Sequence, residues 1–225
     1  MTKYFLTLLL CGLTFTAMAQ KPITRELTRF TNSQDIDPKR YEDIQGNPML
    51  FKDWQKGKII DNKDTVYNNV TINYNGFEEE FEVKRNNSAF IALNNKYYKT
   101  IIIESDQGID GTLHFEKVAD KRFKDKFLRV IHKGEKITIY KYFEARKGEV
   151  TVQDVGKTRT FENFSKVSTY YKLEGDRLKI IKVKKKSLVA ELGEKKALDS
   201  YIKKNKLKTT NDLDLQKLLA HFETL

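Results

Sequence analysis

Three histidines are the side chains in this sequence best suited to proton transfer or metal binding. His114 and His132 fall in segments with the apolar alternation of strands, and His221 falls in a segment with helical periodicity. Metal-binding histidines on one helix need a spacing such as i, i+4, which no pair of these three has. We interpret the histidines as solvated or structural residues, and we predict neither a metal site nor a cofactor.

An acidic cluster, Glu78-Glu79-Glu80, is the second candidate for chemistry, because paired carboxylates can serve a glycosidase. However, Glu78, Glu80 and Glu82 alternate with apolar residues, which indicates the solvated face of a strand. We therefore predict no catalytic residue in this cluster.

Gly156-Lys157-Thr158 resembles the end of a phosphate-binding loop. The first glycine of such a loop would stand at position 151, where the sequence has Thr151. No Gly-x-Ser-x-Gly sequence presents a serine nucleophile either. The sequence favours a non-enzymatic binding or structural module, and the alternative is a hydrolase whose site is assembled only in three dimensions.

The N-terminus has the pattern of a secretory signal peptide. Lys3 precedes the largely apolar run from Tyr4 to Phe15, and Ala17-Met18-Ala19 has the small residues of a cleavage site. A membrane anchor needs about 20 apolar residues, which is more than this run provides. We predict cleavage between Ala19 and Gln20, a periplasmic or secreted chain, and no transmembrane segment after cleavage.

A lysine cluster near the C-terminus is the strongest charge feature. The formal net charge of the chain is +11, and the segment from Lys179 to Lys208 holds eleven lysines, three acidic residues and no arginine. This cluster is either a passive solvated surface or a binding site for an anionic envelope surface such as phospholipid or lipopolysaccharide. Nucleic acid is a less suitable partner outside the cytoplasm. The candidate anion-binding residues are Lys184, Lys185, Lys186, Lys195, Lys196, Lys203 and Lys204.

The elements that must position these residues are mostly strands. Val66, Val70, Ile72 and Tyr74 share one face of an alternating segment, and Asn75-Gly76 is a hairpin signal. Similar segments continue to Val183, with 148–165 as the least regular part. We predict nine or ten strands in a mainly β (α+β) fold, a curved antiparallel β-meander or barrel-like sheet.

Helical periodicity begins after Lys184, Gly193 interrupts it, and Asn211 is a good N-cap for a last helix. The predicted organisation is a signal peptide (1–19), an N-terminal arm (20–44) with an extended or helical stretch at 24–30, an antiparallel β domain (45–184) and a helical cap packed on the sheet (185–225). A curved sheet with a tyrosine-rich face could hold an apolar or amphipathic ligand. The candidate ligand-lining residues are Tyr140, Tyr142, Tyr170 and Tyr171.

Three features together resemble small exported proteins common in Bacteroidota: Gly46-Asn47-Pro48 before a strand-rich region, the asparagine-rich segments Tyr67-Asn68-Asn69-Val70 and Asn73-Tyr74-Asn75, and a lysine-rich helical end. The resemblance covers most of the mature chain. It implies an envelope or secreted setting, and it assigns no catalytic residue.

Overall fold

A computed structural model describes residues 33–85 and 89–225. The predicted signal peptide and the stretch at 24–30 lie outside the described residues. The strands are β1 (Ser33–Ile36), β2 (Gln55–Asp61), β3 (Val66–Asn75), β4 (Glu80–Lys84), β5 (Phe90–Leu93), β6 (Tyr98–Glu104), β7 (Thr112–Glu116), β8 (Leu128–Lys133), β9 (Thr138–Asp154), β10 (Lys157–Glu174) and β11 (Arg177–Ile180). The helices are α1 (Lys185–Leu192), α2 (Lys195–Asn205) and α3 (Asp212–Glu223).

All eleven described strands belong to one antiparallel sheet with the order β1-β5-β4-β3-β2-β6-β7-β8-β9-β10-β11. The chain forms one meander from β2 to β5, returns to place β6 beside β2, and continues as a second meander to β11. The sheet is not closed. The prediction of a mainly β fold with a C-terminal helical cap is confirmed, and the open meander describes the sheet better than the barrel.

The predicted hairpin at Asn75-Gly76 is present, but its loop is longer than the two residues of the commonest hairpins. Asn75 pairs with Glu80, so that residues 76–79 form the connection. Glu79 has a φ of 59°, which is the left-handed conformation that ends this loop.

Apolar side chains from consecutive strands pack together on one face of the sheet and form the core. Its fully buried members include Ile72, Phe81 and Ile101, and the rings of Tyr74 and Phe81 lie 4.9 Å apart in an edge-on arrangement. This cluster contains residues of β2 to β7 and also Phe143 of β9. The alternation that predicts the strands therefore also identifies the core.

The prediction of a solvated polar face on the sheet is partly wrong. Residues 37–50 cross the sheet as an irregular segment, which we call the hook. Asn73 and Glu82, predicted to lie on the solvated face, are each 2% exposed, and Asn75 of the predicted turn is 0% exposed. The hook is held by backbone hydrogen bonds from Leu50 N to Tyr74 O (2.8 Å) and from Gly76 N to Pro48 O (3.0 Å). The hook, which is distant in sequence from Glu82, thus buries polar side chains of the strands.

The prediction that 148–165 is the least regular part of the sheet, with only a short strand at 150–152, is also wrong. β9 and β10 pair continuously from Ile139–Lys172 to Asp154–Lys157 and form a long two-stranded ribbon. Its outer part is exposed on both faces, so that it lacks the apolar alternation by which strands are recognised. Val155 at the tip is 99% exposed.

The three helices pack their apolar sides on the last strands. Leu188, Leu198, Leu215 and Leu218 are fully buried in one cluster with Ile139 of β9. Gly193 separates α1 from α2 with a φ of 86°, and the Asn211 side chain accepts a hydrogen bond from Asp214 N at 3.1 Å, as an N-cap should. Among the described residues, no helix has the length and apolar character to span a membrane.

Candidate functional site

The candidate anion-binding lysines lie on the outer side of α1 and α2. The buried residues of these helices, Leu188 and Val189 in α1 and Leu198 and Ile202 in α2, face the sheet. All seven candidate lysines are exposed. Lys196 and Lys203 are seven residues apart, which places them on the same face of α2 about two turns from one another. The cap therefore presents a solvent-exposed basic surface, which we call the lysine surface.

The ion pairing of the lysine surface is sparse. Lys185 forms an ion pair with Asp199 at 2.9 Å, which links α1 to α2. In the described part of the chain, the other six candidate lysines have no carboxylate within ion-pairing distance. The nearby Glu191 is engaged by Lys172 of β10. Most of the positive charge of this surface is therefore not neutralised by the protein itself.

The lysines at the start of α1 and α2 oppose the helix dipole. Lys184 is the N-cap of α1, both helices begin with two lysines, and neither has an acidic residue in its first turn or a side-chain cap. A charge of the wrong sign at a helix terminus costs about 0.3–1 kcal/mol. By contrast, α3 begins with the Asn211 cap and with Asp212 and Asp214 in its first turn. The basic starts of α1 and α2 are thus not explained by helix stability.

Lys203 and Lys204 have a local explanation, because they lie in the last turn of α2. Cations there interact favourably with the negative end of the helix dipole. These two lysines contribute to the basic surface and also stabilise the helix that carries them.

A shallow pocket of about 270 Å³ lies between α1 and α2. Its apolar lining residues are Val189 and Ala190, and its charged lining residues are Lys185, Lys186, Lys195 and Asp199. The pocket brings the basic starts of both helices together around one opening. An anionic group attached to a short apolar segment fits this combination of basic and apolar side chains.

The four candidate tyrosines do not share one surface. Tyr140 pairs directly with Tyr171 in the β9–β10 register, and Tyr140 and Tyr142 are buried with Phe123 in one cluster against which Tyr171 packs. Tyr170 packs instead against the apolar cluster of the helical cap. The structure therefore brings three of the four together and separates the fourth.

The tyrosine hydroxyls are engaged by carboxylates. Tyr140 donates to Glu116 at 2.6 Å, Tyr142 donates to Glu79, and Tyr170 donates to Asp212 at 2.5 Å. Burial raises the pKa of Tyr140, and that of Tyr142 is raised for the same reason. These tyrosines pack and cross-link the interior, and their role in lining a ligand site stays a prediction.

The three histidines lie in separate places. His132 contacts Glu223 at 3.1 Å, His114 lies 3.6 Å from Asp110, and the ring of His221 stacks on Tyr201 with 3.9 Å between ring centroids. Glu223 also accepts hydrogen bonds from Lys136 N and Ile137 N, which lower its pKa, so that it clamps the β8–β9 turn. Within 33–85 and 89–225 no three His, Cys, Asp or Glu side chains form a group that could hold a metal ion.

The three carboxylates of the acidic cluster at the β3–β4 loop have different surroundings. Tyr41 donates to Glu78 at 3.0 Å, and Lys126 pairs with Glu79 at 2.6 Å. Glu80 is half-buried, and burial followed by repulsion from Glu82 raises its pKa to about 7. The three carboxylates thus serve different contacts instead of facing one substrate.

Two buried polar groupings had no recognisable signal in the sequence. Arg129 of β8 meets Asp212 of α3, and Arg40 of the hook meets Glu82 of β4. The partners are far apart in sequence, so that no local spacing could indicate them. Only the N-cap at Asn211, which fixes the start of α3, gave an indirect hint of the first.

Comparisons with protein-family models, with curated proteins and with solved structures found no match to this chain. The fold and the candidate site therefore define the class: an open antiparallel β-sheet protein whose helical cap carries an unneutralised lysine surface.

Proposed function

We propose that this chain is an exported, non-enzymatic binding module whose lysine surface attaches to the phosphate groups of anionic envelope lipid. The observation that carries the proposal is the absence of ion partners at six of the seven candidate lysines among the described residues. A surface adapted only for solubility usually mixes both signs of charge. Here the segment from Lys179 to Lys208 contains three acidic residues against eleven lysines.

The expected strength of attachment follows from the number of lysines. Each Lys near an anionic membrane contributes about 1 kcal/mol, and this contribution falls off within a Debye length. Several lysines acting together are enough for reversible surface binding. Attachment should accordingly weaken steeply as the salt concentration rises.

The choice of lysine over arginine favours a diffuse surface over a single shaped ligand. An ammonium group is a compact point charge on a flexible stem, whereas a guanidinium group binds phosphate in a fixed bidentate geometry. The segment from Lys179 to Lys208 has no arginine. The pocket between α1 and α2, with Val189 and Ala190 in its lining, supports a lipid headgroup and its first methylenes as the occupant.

Co-sedimentation with lipid vesicles tests the proposal. The full chain should bind vesicles containing 30% phosphatidylglycerol at low salt, should release at high salt, and should not bind pure phosphatidylcholine. The triple variant Lys186→Glu, Lys195→Glu, Lys196→Glu should weaken binding by at least about 100-fold, because three attractive charges of about 1 kcal/mol each become repulsive.

A matched control separates a specific surface from net charge. Lys58→Glu, Lys63→Glu, Lys121→Glu makes the same change in net charge at exposed lysines outside the cap. This control variant should keep most of the binding. If both triple variants lose binding equally, or if the unmodified chain ignores anionic vesicles at low salt, the proposal is wrong.

The export part of the proposal rests on the N-terminal sequence and needs its own test. The intact mass of the protein recovered from the periplasm or medium should correspond to a chain beginning at Gln20. A mass that retains Met1 would contradict export by signal-peptide cleavage, whatever the outcome of the vesicle experiment.

A further inference from the structure

A second pocket lies under the hook, away from the elements that carry the lysine surface. Its volume is about 340 Å³, at the lower end of the range of small-molecule sites. It is lined by hook residues such as Arg40 and Met49, by Trp54 before β2, by Glu82 of β4 and by Phe90 of β5. These parts of the chain converge only in the folded protein.

Four charged residues line the pocket, two of each sign, and Arg40 and Glu82 among them form an ion pair. The guanidinium of Arg40 bonds Oε1 of Glu82, and the side chain of Glu82 is only 3% exposed. Asn75 Nδ2 donates to the same oxygen at 2.7 Å. The second oxygen, Oε2, accepts no hydrogen bond from the described residues. The pocket therefore has equal numbers of acidic and basic residues and still offers a carboxylate oxygen that accepts no hydrogen bond from the described residues.

The Arg40–Glu82 pair disfavours an ionic ligand at its own position in the pocket. At that position an anion would have to compete with Glu82 for Arg40, and a cation would have to compete with Arg40 for Glu82. Breaking either contact leaves an uncompensated buried charge, which is strongly unfavourable. A neutral ligand leaves the Arg40–Glu82 pair intact.

One wall of the pocket is aromatic. The rings of Trp54 and Phe90 lie 5.3 Å apart at 42° to one another, and both are partly exposed. Trp54 Nε1 and Asn47 Nδ2 make no hydrogen bond to the described residues, and Lys52 at the rim has no ion partner among them. The pocket thus combines a flat apolar wall with separate donors and an acceptor.

We propose that the hook pocket binds a neutral saccharide, with one sugar ring stacked on Trp54 and its hydroxyls bonded to Glu82, Arg40 and Asn47. Hydroxyl groups both donate and accept, which matches the mixture of free groups in the pocket. The apolar C–H face of a pyranose matches the exposed aromatic wall. The Arg40–Glu82 ion pair, whose charges already balance, matches an uncharged sugar ring.

Intrinsic fluorescence gives a direct test, because Trp54 is the only tryptophan of the chain. The full chain is titrated with glucose, N-acetylglucosamine, maltose and cellobiose, and with the charged sugars glucosamine and glucuronate. We expect a saturable change in emission with at least one neutral sugar and weaker binding of both charged ones. If no neutral sugar changes the emission, or if a charged sugar binds best, the proposal is overturned.

Calorimetry of variants with the best neutral sugar locates the site. Trp54→Ala should weaken binding about tenfold through lost stacking. Glu82→Gln should weaken it by a similar factor, about tenfold, through the lost acceptor. The exposed Glu149→Gln on the ribbon is the matched control and should bind normally. Because Trp54 is not fully buried, its variant tests the site even where Glu82→Gln fails to fold, and undiminished binding by Trp54→Ala would refute it.

Sugar binding and lipid binding are independent in this arrangement. The charge-reversed cap variant Lys186→Glu, Lys195→Glu, Lys196→Glu should keep sugar binding, and Trp54→Ala should keep vesicle binding. Failure of one proposal therefore leaves the other standing.

Discussion

Arg129 of β8 and Asp212 in the first turn of α3 form an ion pair at 2.7 Å although 83 residues separate them, and their side chains are 8% and 12% exposed. Lys141 of β9 also pairs with this carboxylate at 2.8 Å, and Tyr170 of β10 donates to it at 2.5 Å. Burial opposes the ionisation of Asp212, but these partners outweigh burial and hold its pKa below the ordinary value. One carboxylate therefore joins three strands to the helical cap.

Replacing Asp212 should loosen the cap. Asp212→Ala leaves Arg129 buried without its partner, and breaking a buried pair in this way costs about 3–5 kcal/mol of unfolding free energy. Urea denaturation followed by circular dichroism measures the loss. Glu42→Gln, which removes only the exposed pair with Lys39, should change stability by less than about 1 kcal/mol. Equal effects of the two variants would show that the Arg129–Asp212 pair does not join the cap to the sheet.

Gly57 should be irreplaceable in the middle of the sheet. β2 pairs with β3 on one side and with β6 on the other, and a Cβ at Gly57 would lie 2.4 Å from Ile102 O. Because that neighbour is backbone and cannot rotate away, Gly57→Ala should cost about 1–3 kcal/mol. Gly148→Ala is the control, since its Cβ meets no atom within 4 Å. Thermal melts of both variants check the contrast, and a wild-type melting temperature for Gly57→Ala would contradict the packing.

The strands and helices could be predicted because their signals are local. The alternation around Val70 and Ile72 identifies β3, and Gly193 and Asn211 mark the boundaries of the cap helices. Burial of Asn73 and Glu82 could not be predicted, because the segment that covers them carries no periodic pattern. The same reasoning applies to the ribbon, whose strands are solvated on both faces and therefore lack apolar alternation.

For the candidate site, too, only the local features could be predicted. Sequence alone identifies the lysine cluster and indicates exposed helix faces. It does not show whether the fold brings carboxylates to those lysines, because ion partners such as Lys185 and Asp199 come from different elements. The hook pocket lay beyond prediction for the same reason, since Arg40 and Glu82 meet across 42 residues.

Glu80 should make stability depend on pH. Burial, with repulsion from Glu82 and Glu78, raises its pKa from 4.5 to about 7, so that the folded state favours the protonated form. Its stabilising contribution is therefore fully present below pH 4.5 and is lost as the pH rises through about 7. Since Glu80 is only half-buried, solvent screening limits the effect to about 1 kcal/mol.

Glu80→Gln isolates this contribution. The variant should match the wild-type chain near pH 4.5 and should be more stable by about 1 kcal/mol at pH 8, where the wild type carries a charged Glu80. Urea denaturation at the two pH values measures the difference. The exposed Glu149→Gln should change stability by less than about 0.5 kcal/mol at both. If Glu80→Gln is equally or less stable than the wild type at pH 8, the burial of a raised-pKa carboxyl at this position is refuted.

The outer ribbon should be dispensable for folding. Residues 149–160 are exposed, and the strands there contact mainly each other, as in the Thr151–Thr160 side-chain hydrogen bond of 3.1 Å. Because Val150 pairs with Phe161, residues 151–160 can be replaced by Asn-Gly without changing the register. An isolated two-stranded hairpin is at best marginally stable, so that its removal should change the unfolding free energy by less than about 1 kcal/mol.

Phe164→Ala at the base of the ribbon is the contrasting variant, because this ring is 5% exposed and packs 5.1 Å from Tyr41. It should cost about 3–5 kcal/mol. A shortened chain that loses as much stability as Phe164→Ala would mean that the ribbon packs on the body of the protein.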